Sequence, residues 1–217
     1  RAGYRGPFYL TSATADITNV MLRDSARIQL EDARNGGSRS RGSKSDAQPR
    51  RNGVEPLFEL IDVEHLVDSV RRVPYCEPIE IVDGVWLTFH DAGHILGSAM
   101  TQIDYREDGK ERRFLYTGDL GRRAMGLLPD PATVQGIDIL VTETTYGHRE
   151  LDPYDKLLKQ LHAIILRAIR LQGKIVVPAF SLGRTQRMIY CLKELFDVHK
   201  VRPIPVYVDS PLSFRLT

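Results

Sequence analysis

The stretch HDAGHILGSAM, residues 90–100, decides how the rest of the chain is interpreted. It follows the apolar run VWLTF at 85–89 and contains two histidines four residues apart, His90 and His94. Two glycines and two other small residues let the backbone turn tightly, so we expect a loop that follows a β-strand. The stretch alone allows three interpretations: a metal site, an acid–base pair, or a turn whose histidines are structural.

Two more polar residues occupy the same kind of position further along the chain. Asp119 follows the strand-like run RRFLYTG, and Glu143 follows IDILVT. Imidazole nitrogens and carboxylate oxygens are ligands for zinc and other divalent ions, and a carboxylate can bridge two metals that help a bound water to ionise. Each residue alone is more typical of a structural hydrogen bond or a turn. Their joint occurrence in this order indicates a site that includes His94.

Around this centre the chain alternates between strand and helix signals, which indicates an α/β fold. The dipeptide Asp83-Gly84 and the segment REDGKE each predict a β-hairpin. Beyond residue 150 we expect a helix that ends at Gly173, a strand KIVVPAF, a second helix and a strand IPVYVDS. Strands and helices in this order predict a parallel unit.

The N-terminal part predicts a short strand followed by two helices. Thr14 or Asp16 is expected to cap the first helix, and Asp62 the second. The second helix has an apolar face that extends from Val63 to Val70.

The segment SLGRTQ, 181–186, lies between a predicted strand and a predicted helix. Backbone N–H groups at a helix start bind phosphate, and Arg184 adds a charged donor. An ordinary helix cap beside an exposed arginine explains the same segment equally well.

The composition limits the classes of partner. The 217 residues have a formal net charge of +2, which excludes a polyanion-binding surface that covers the whole molecule. Residues 34–53 have six Lys and Arg against one acid and predict a disordered basic loop, either solvated or in contact with phosphates.

The two cysteines have no CxxC spacing, which fits a reducing compartment. No apolar run reaches transmembrane length, so we expect no membrane partner.

The polar motifs together resemble one known family. The chain is similar to the metallo-β-lactamase superfamily, and in particular to its β-CASP branch of nucleic-acid-processing enzymes. The segments that carry the resemblance are AGHILGSA, YTGDLG, ETTYGHR, VVPAFSLGRTQ, IPVYVDSPL and TSATADITNVMLRDSARIQ.

The resemblance implies a partial αββα metallo-β-lactamase sandwich over residues 1–150 and the first part of an α/β β-CASP domain over 151–217. It implies a nuclease that uses two zinc ions to hydrolyse phosphodiester bonds of single-stranded RNA in the cytoplasm. His94 would be a zinc ligand, Asp119 a bridging ligand and catalytic residue, and Glu143 a catalytic residue that orients a histidine by a hydrogen bond.

The resemblance also gives residues for RNA: Ser181, Gly183 and Arg184 would bind its phosphates. The sequence leaves the oligomeric state open, and a homodimer is one expectation. His90 matches no motif position, so we expect a structural role for it.

Part of the family pattern is missing from these 217 residues. The motif HxHxDH, expected before TSAT, does not occur, and neither do two later histidine motifs. A fragment of a longer enzyme, a piece that pairs with another chain, and a degenerate homologue all explain this, and we favour the fragment. The chain alone is therefore expected to be inactive.

Two other functions compete with the nuclease. A non-catalytic RNA-binding or scaffold homologue explains the missing ligands. A metallo-β-lactamase hydrolase that cuts a small ester, thioester or lactam is disfavoured, because ETTYGHR and GRTQ belong to the nucleic-acid branch.

Overall fold

A computed structural model describes residues 3–34, 55–179 and 182–216. Most of the predicted basic loop at 34–53 lies outside the described residues, and so does Ser181. Within the described ranges, no helix is both long enough and apolar enough to cross a membrane.

The chain forms two compact units, Arg1–Arg72 and Val73–Arg215. The first contains β1 (Phe8–Leu10), α1 (Ser12–Arg34), α2 (Leu60–Asp68) and β2 (Val70–Arg72). Strands β1 and β2 pair in parallel, and α1 and α2 bury Ala15, Ala26 and Val63. The predicted family-domain boundary near residue 150 is a different division and stays a prediction.

The caps of the first two helices are not the predicted ones. Thr11 Oγ1 accepts the backbone N–H of Thr14 at 3.2 Å, so α1 begins before either predicted cap, Thr14 or Asp16. Glu59 is the N-cap of α2, and the carboxylate of Asp62 accepts the Glu59 N–H at 2.8 Å. Both errors have one cause. Several polar residues lie near the start of each helix, and which of them is the cap depends on the path of the backbone.

The second helix is also shorter than its apolar face suggested. Val70 begins β2, because helix α2 ends at Asp68. Pairing with β1 therefore overrides the helical spacing at this position.

The second unit is built on one sheet. Its strands are β3 (Ile79–Val82), β4 (Val85–Asp91), β5 (Ala99–Glu107), β6 (Lys110–Tyr116) and β7 (Ile139–Val141), in that order across the sheet. All neighbours are antiparallel except β6 and β7, which are parallel. Consequently the C-terminal ends of β4, β6 and β7 lie at the same edge of the sheet.

Both predicted hairpins are confirmed. Asp83-Gly84 joins β3 to β4, and Asp108-Gly109 joins β5 to β6. The φ angles of Asp108 and Gly109 are 51° and 75°, which is the left-handed geometry of a two-residue type I′ turn. One face of the sheet buries Met100 and Leu115 beneath a cover that comes from residues 120–137.

Helices α3 (Tyr154–Arg170), α4 (Arg184–Asp197) and α5 (Pro211–Arg215) complete the unit. The first two pack through a core of Leu158, Ile165, Leu195 and Val201. Helix α3 ends at Arg170, and Gln172, one residue before the predicted cap Gly173, takes the left-handed conformation with φ 49°. Gly173 follows and donates its N–H to Ala168 O at 2.9 Å, as the second residue of a Schellman motif.

Two predicted strands do not form. The described parts of KIVVPAF and IPVYVDS, residues 174–179 and 204–210, belong to no sheet. Val176 is 88% exposed and Tyr207 89% exposed, so neither segment is buried as a central parallel strand is. A strand exists only with a hydrogen-bonded neighbour, and the described residues give these segments none. The fold class, a mixed α/β fold, is confirmed, but the predicted parallel unit is wrong for the described residues.

Candidate active site

The three polar residues singled out in the sequence lie together at one edge of the sheet. His94 follows β4, Asp119 follows β6 and Glu143 follows β7. Nε2 of His94 lies 3.8 Å from Oδ2 of Asp119. Glu143 Oε1 accepts the backbone N–H of Leu120, the residue after Asp119, at 2.7 Å. The shared strand direction explains this convergence.

The loop that carries His94, residues 92–98, is held by one serine; we call it the histidine loop. Ser98 Oγ accepts the backbone N–H of His94 at 3.1 Å and that of Ile95 at 3.2 Å. Ser98 O in turn accepts the N–H of Ala92 at 3.2 Å and the hydroxyl of Tyr75 at 2.9 Å. These bonds leave the imidazole of His94 on a backbone with little freedom.

A glycine contact fixes the distance between the histidine loop and the Asp119 loop. A Cβ placed on Gly121 would lie 1.9 Å from Gly93 O and 2.7 Å from His94 N, so no side chain fits there. The Gly121 N–H donates to Ala92 O at 2.8 Å. The two backbones therefore touch directly, and His94 and Asp119 come close because residue 121 is glycine.

The electrostatics of the edge favour an ionised Glu143. A hydrogen bond from the Thr145 side chain, followed by the bond from Leu120 N–H, holds the pKa of Glu143 below its usual range. The side chains of His94 and Asp119 are 42% and 74% exposed, so their polar atoms are open to a ligand. An imidazole beside an exposed carboxylate can bind a divalent cation.

His90 takes no part in this cluster. Its Nε2 lies 2.8 Å from Oε1 of Gln102, and Gln102 donates to Asp104 at 2.6 Å. Arg113 Nε donates to the other oxygen of Asp104 at 2.7 Å. This chain of polar groups crosses β4, β5 and β6, which agrees with the structural role expected for His90.

The residues at the edge supply part of a zinc site. His94 and Asp119 offer the nitrogen and oxygen donors that zinc accepts, but a catalytic zinc takes three protein ligands. Across residues 3–34, 55–179 and 182–216, no group of three or more His, Cys, Asp or Glu side chains could hold a metal ion. The described residues therefore do not fit a complete two-metal centre.

Two of the three predicted phosphate-binding residues, Gly183 and Arg184, are at the start of α4, next to the histidine loop. Arg184 is the first residue of α4 and is exposed, and Gly183 is its N-cap with φ 83°. A Cβ on Gly183 would lie 3.3 Å from Cγ2 of Ile95 in the histidine loop. The start of α4 thus adjoins the edge that holds His94. Ser181 lies outside the described residues.

Comparison with known proteins decides the family. No family model matches the chain. Ribonuclease TTHA0252 of Thermus thermophilus is 30% identical over the whole chain, which spans 43% of that protein. The RNase J-like protein of Methanocaldococcus jannaschii is 34% identical over 70% of the chain and 36% of its own length. The transcription termination factor FttA of Methanothermobacter thermautotrophicus is 32% identical over 96% of the chain and 30% of its own length.

The chain belongs to the β-CASP branch of the metallo-β-lactamase superfamily. The resemblance stated from the motifs is therefore confirmed, and the mixed α/β fold is part of a metallo-β-lactamase-like fold. The chain spans less than half the length of the β-CASP relatives named above.

Sequence reasoning missed two groups: Tyr75, which holds the histidine loop, and Gln102, which contacts His90 away from the site. Tyr75 and Gln102 each bond to a residue at least ten positions away, so no local pattern marks them. Gly121 stands within the quoted motif YTGDLG, and a second glycine after the aspartate is the signal that marks a close backbone approach.

Proposed function

We propose that this chain is part of a metal-dependent nuclease that hydrolyses RNA phosphodiester bonds. The observation that carries the proposal is the meeting of His94, Asp119 and Glu143 at the ends of three strands that run in the same direction. The chain's similarity to a protein named a ribonuclease, over its whole length, supports the same conclusion.

At the sheet edge, His94 and Asp119 have a binding role in this proposal and Glu143 has a positioning role. His94 Nε2 and the Asp119 carboxylate would hold zinc. When bound, zinc supplies a Lewis acid for the phosphoryl oxygens and a water that ionises near neutral pH. Glu143 keeps the Asp119 loop in place, because its ionised carboxylate accepts the N–H of Leu120.

The RNA would lie along the sheet edge and reach the start of α4. Gly183 and Arg184 adjoin the histidine loop, and the positive end of a helix favours a phosphate. Ser181 and the basic residues of 34–53 belong to the same proposal on sequence grounds alone. Single-stranded RNA as the substrate, a homodimer and a cytoplasmic location also stay predictions.

Cleavage of RNA tests the proposal directly. The product of the longest open reading frame that contains these residues is incubated with end-labelled single-stranded RNA and zinc. We expect cleavage that a chelator stops and that Asp119→Asn abolishes, since the variant loses a charged ligand. Unchanged cleavage by Asp119→Asn, at equal protein purity, would contradict the proposal.

A non-catalytic RNA-binding homologue is the second candidate. It is favoured by one observation: the described residues bring together two metal donors and not three. Zinc content separates the two functions, because a nuclease product retains zinc after dialysis and loses it with Asp119→Asn. RNA binding without zinc and without cleavage would establish the second candidate.

A further inference from the structure

The loop between β7 and α3, residues 143–152, is attached at both ends to the loop that follows Asp119. At one end Glu143 accepts the N–H of Leu120 at 2.7 Å, and at the other Asp152 O accepts Nη2 of Arg122 at 2.6 Å. The two anchors, Leu120 and Arg122, are two positions apart, so their Cα atoms are at most about 7 Å apart. The 143–152 loop is therefore held at both ends beside the loop that follows Asp119.

An ordered aromatic side chain projects from this loop. Cζ of Arg149 lies 4.8 Å from the centroid of the Tyr146 ring, a cation–π contact. The turn beneath them is closed by Gly147 N–H to Thr144 O at 3.0 Å and by Arg149 N–H to Tyr146 O at 3.2 Å. Tyr146 is nevertheless 53% exposed. The loop thus fixes a ring and a guanidinium in one orientation while leaving much of the ring in solvent.

The Tyr146 ring is close in the chain to the candidate active site. Tyr146 follows Glu143 by three residues, so their Cα atoms are at most about 11 Å apart. Glu143 itself is bonded to the residue next to Asp119. A nucleic acid whose phosphate lay at Asp119 would therefore bring a neighbouring base within reach of Tyr146.

We propose that Tyr146, oriented by Arg149, stacks on a base of single-stranded RNA next to the cleaved bond. This inference rests on the proposed nuclease function. An aromatic face stacks on any base, so the contact would position the strand without selecting a sequence. Arg149 contributes a positive charge beside the same base, which favours the nearby phosphates.

Fluorescence measurements on the full gene product test this inference. The protein keeps Asp119 and is supplied with zinc, and the probe is a short single-stranded RNA with phosphorothioate linkages that resist hydrolysis and with one fluorescent purine analogue moved along the strand. Tyr146→Ala is compared with Tyr146→Phe, which keeps the aromatic face. Tyr207→Ala is the matched control, because Tyr207 is an exposed tyrosine outside the 143–152 loop. A second probe replaces the stacked nucleotide with an abasic one.

We expect Tyr146→Ala to weaken binding roughly 5-fold to 100-fold and to remove fluorescence quenching at one position of the strand. Tyr146→Phe and Tyr207→Ala should bind within about 2-fold of the parent, since both leave an aromatic face at residue 146. On the abasic RNA the parent and Tyr146→Ala should bind equally. Equal binding is the result that a merely structural tyrosine would not give.

Two outcomes overturn the inference. Tyr146→Ala could bind intact RNA as tightly as the parent, or it could weaken binding to abasic RNA by the same factor as to intact RNA. Either result, with RNA still bound by the parent, removes the stacking role and leaves the proposed function standing. If the parent binds no RNA, the proposed function fails and the inference fails with it.

Discussion

The sheet around the candidate active site and the extended segments beside α3 and α4 have similar apolar sequences but very different exposure. In β4, Leu87 and Phe89 are 4% and 8% exposed. In the extended segments, Val176 and Tyr207 are 88% and 89% exposed. The strand β4 has hydrogen-bonded neighbours on both sides, whereas the extended segments belong to no sheet. Apolar sequence is therefore not enough to bury a segment, and pairing decides the outcome.

The same contrast applies to the polar residues. At the sheet edge, each group is fixed by backbone contacts from another loop, as with Gly121 against Gly93. Beside the helices, stability comes from side chains such as Leu195 in the α3–α4 core. We expect substitutions in the two regions to destabilise the protein for different physical reasons. The following predictions distinguish these reasons.

The largest effect is expected at the glycine contact. Gly121→Ala places a Cβ against the backbone of Gly93, which has no flexible end to move, so the two loops must separate. We expect a loss of about 3 kcal/mol or more in the free energy of unfolding, together with loss of metal binding. Chemical denaturation measures the first and zinc titration the second.

Gly173→Ala is the matched control for this substitution. The nearest atom to its Cβ would be Ala168 O at 4.0 Å, and its φ is not positive, so the change should be nearly neutral. Equal losses of unfolding free energy for the two variants would show that the contact between Gly121 and Gly93 does not hold the two loops together.

The next effect belongs to the helical region. Leu195→Ala removes a side chain that is 1% exposed, and we expect a loss of about 2–3 kcal/mol. That value is at the lower end for such truncations, because partly buried neighbours such as Phe196 can move into the space. Val176→Ala, in an exposed segment, should change stability by less than about 0.5 kcal/mol. A large loss for Val176→Ala would mean that this segment is paired in solution.

A smaller effect is expected in the histidine loop. Ser98→Ala leaves the N–H groups of His94 and Ile95 without their shared acceptor, which costs about 1–2 kcal/mol. Zinc affinity should fall roughly 10-fold, because the backbone that loses its hydrogen bonds carries the metal donor His94. Ser98→Thr keeps the hydroxyl and serves as the control. Isothermal titration with zinc compares the three proteins, and equal affinities would remove Ser98 from the positioning of His94.

The smallest effect is a pH dependence at Glu143. The pKa of this carboxyl is lowered in the folded chain, so the native state releases its proton more readily than the unfolded state. Its contribution to stability is complete above the unfolded pKa, about 4.3, and is lost as the pH falls through the folded pKa. Denaturation of the wild type and of Glu143→Gln should therefore differ at neutral pH and converge in acid. A difference that grows toward low pH would contradict this sign.

Local features of the sequence predicted much of the fold and the candidate site. Asp83-Gly84 and Asp108-Gly109 specify two-residue turns, so both hairpins were predictable. His94 and Asp119 were found because each is a polar residue just beyond an apolar strand and lies in a family motif, and the structure brings them within 3.8 Å of each other. Their roles in catalysis and metal binding stay predictions.

The errors arose where the outcome depends on distant residues. The strand predicted at 174–180 needs a partner strand, and no pattern within the segment shows whether one is present. The bond from Tyr75 to Ser98 joins positions far apart in the chain. The choice of Thr11 over Thr14 as a cap depends on where the preceding strand ends.

The hairpin turn at Asp108-Gly109 gives the molecule a convenient attachment point. Strand β5 runs from the histidine loop at Ala99 to Glu107, which places the turn about 27 Å from the candidate active site. Open space surrounds Gly109. A dye or a surface linker coupled there, after replacement of the exposed thiol of Cys76, would lie far from the candidate active site. Single-molecule observation of RNA on this chain is therefore practical from the far end of the sheet.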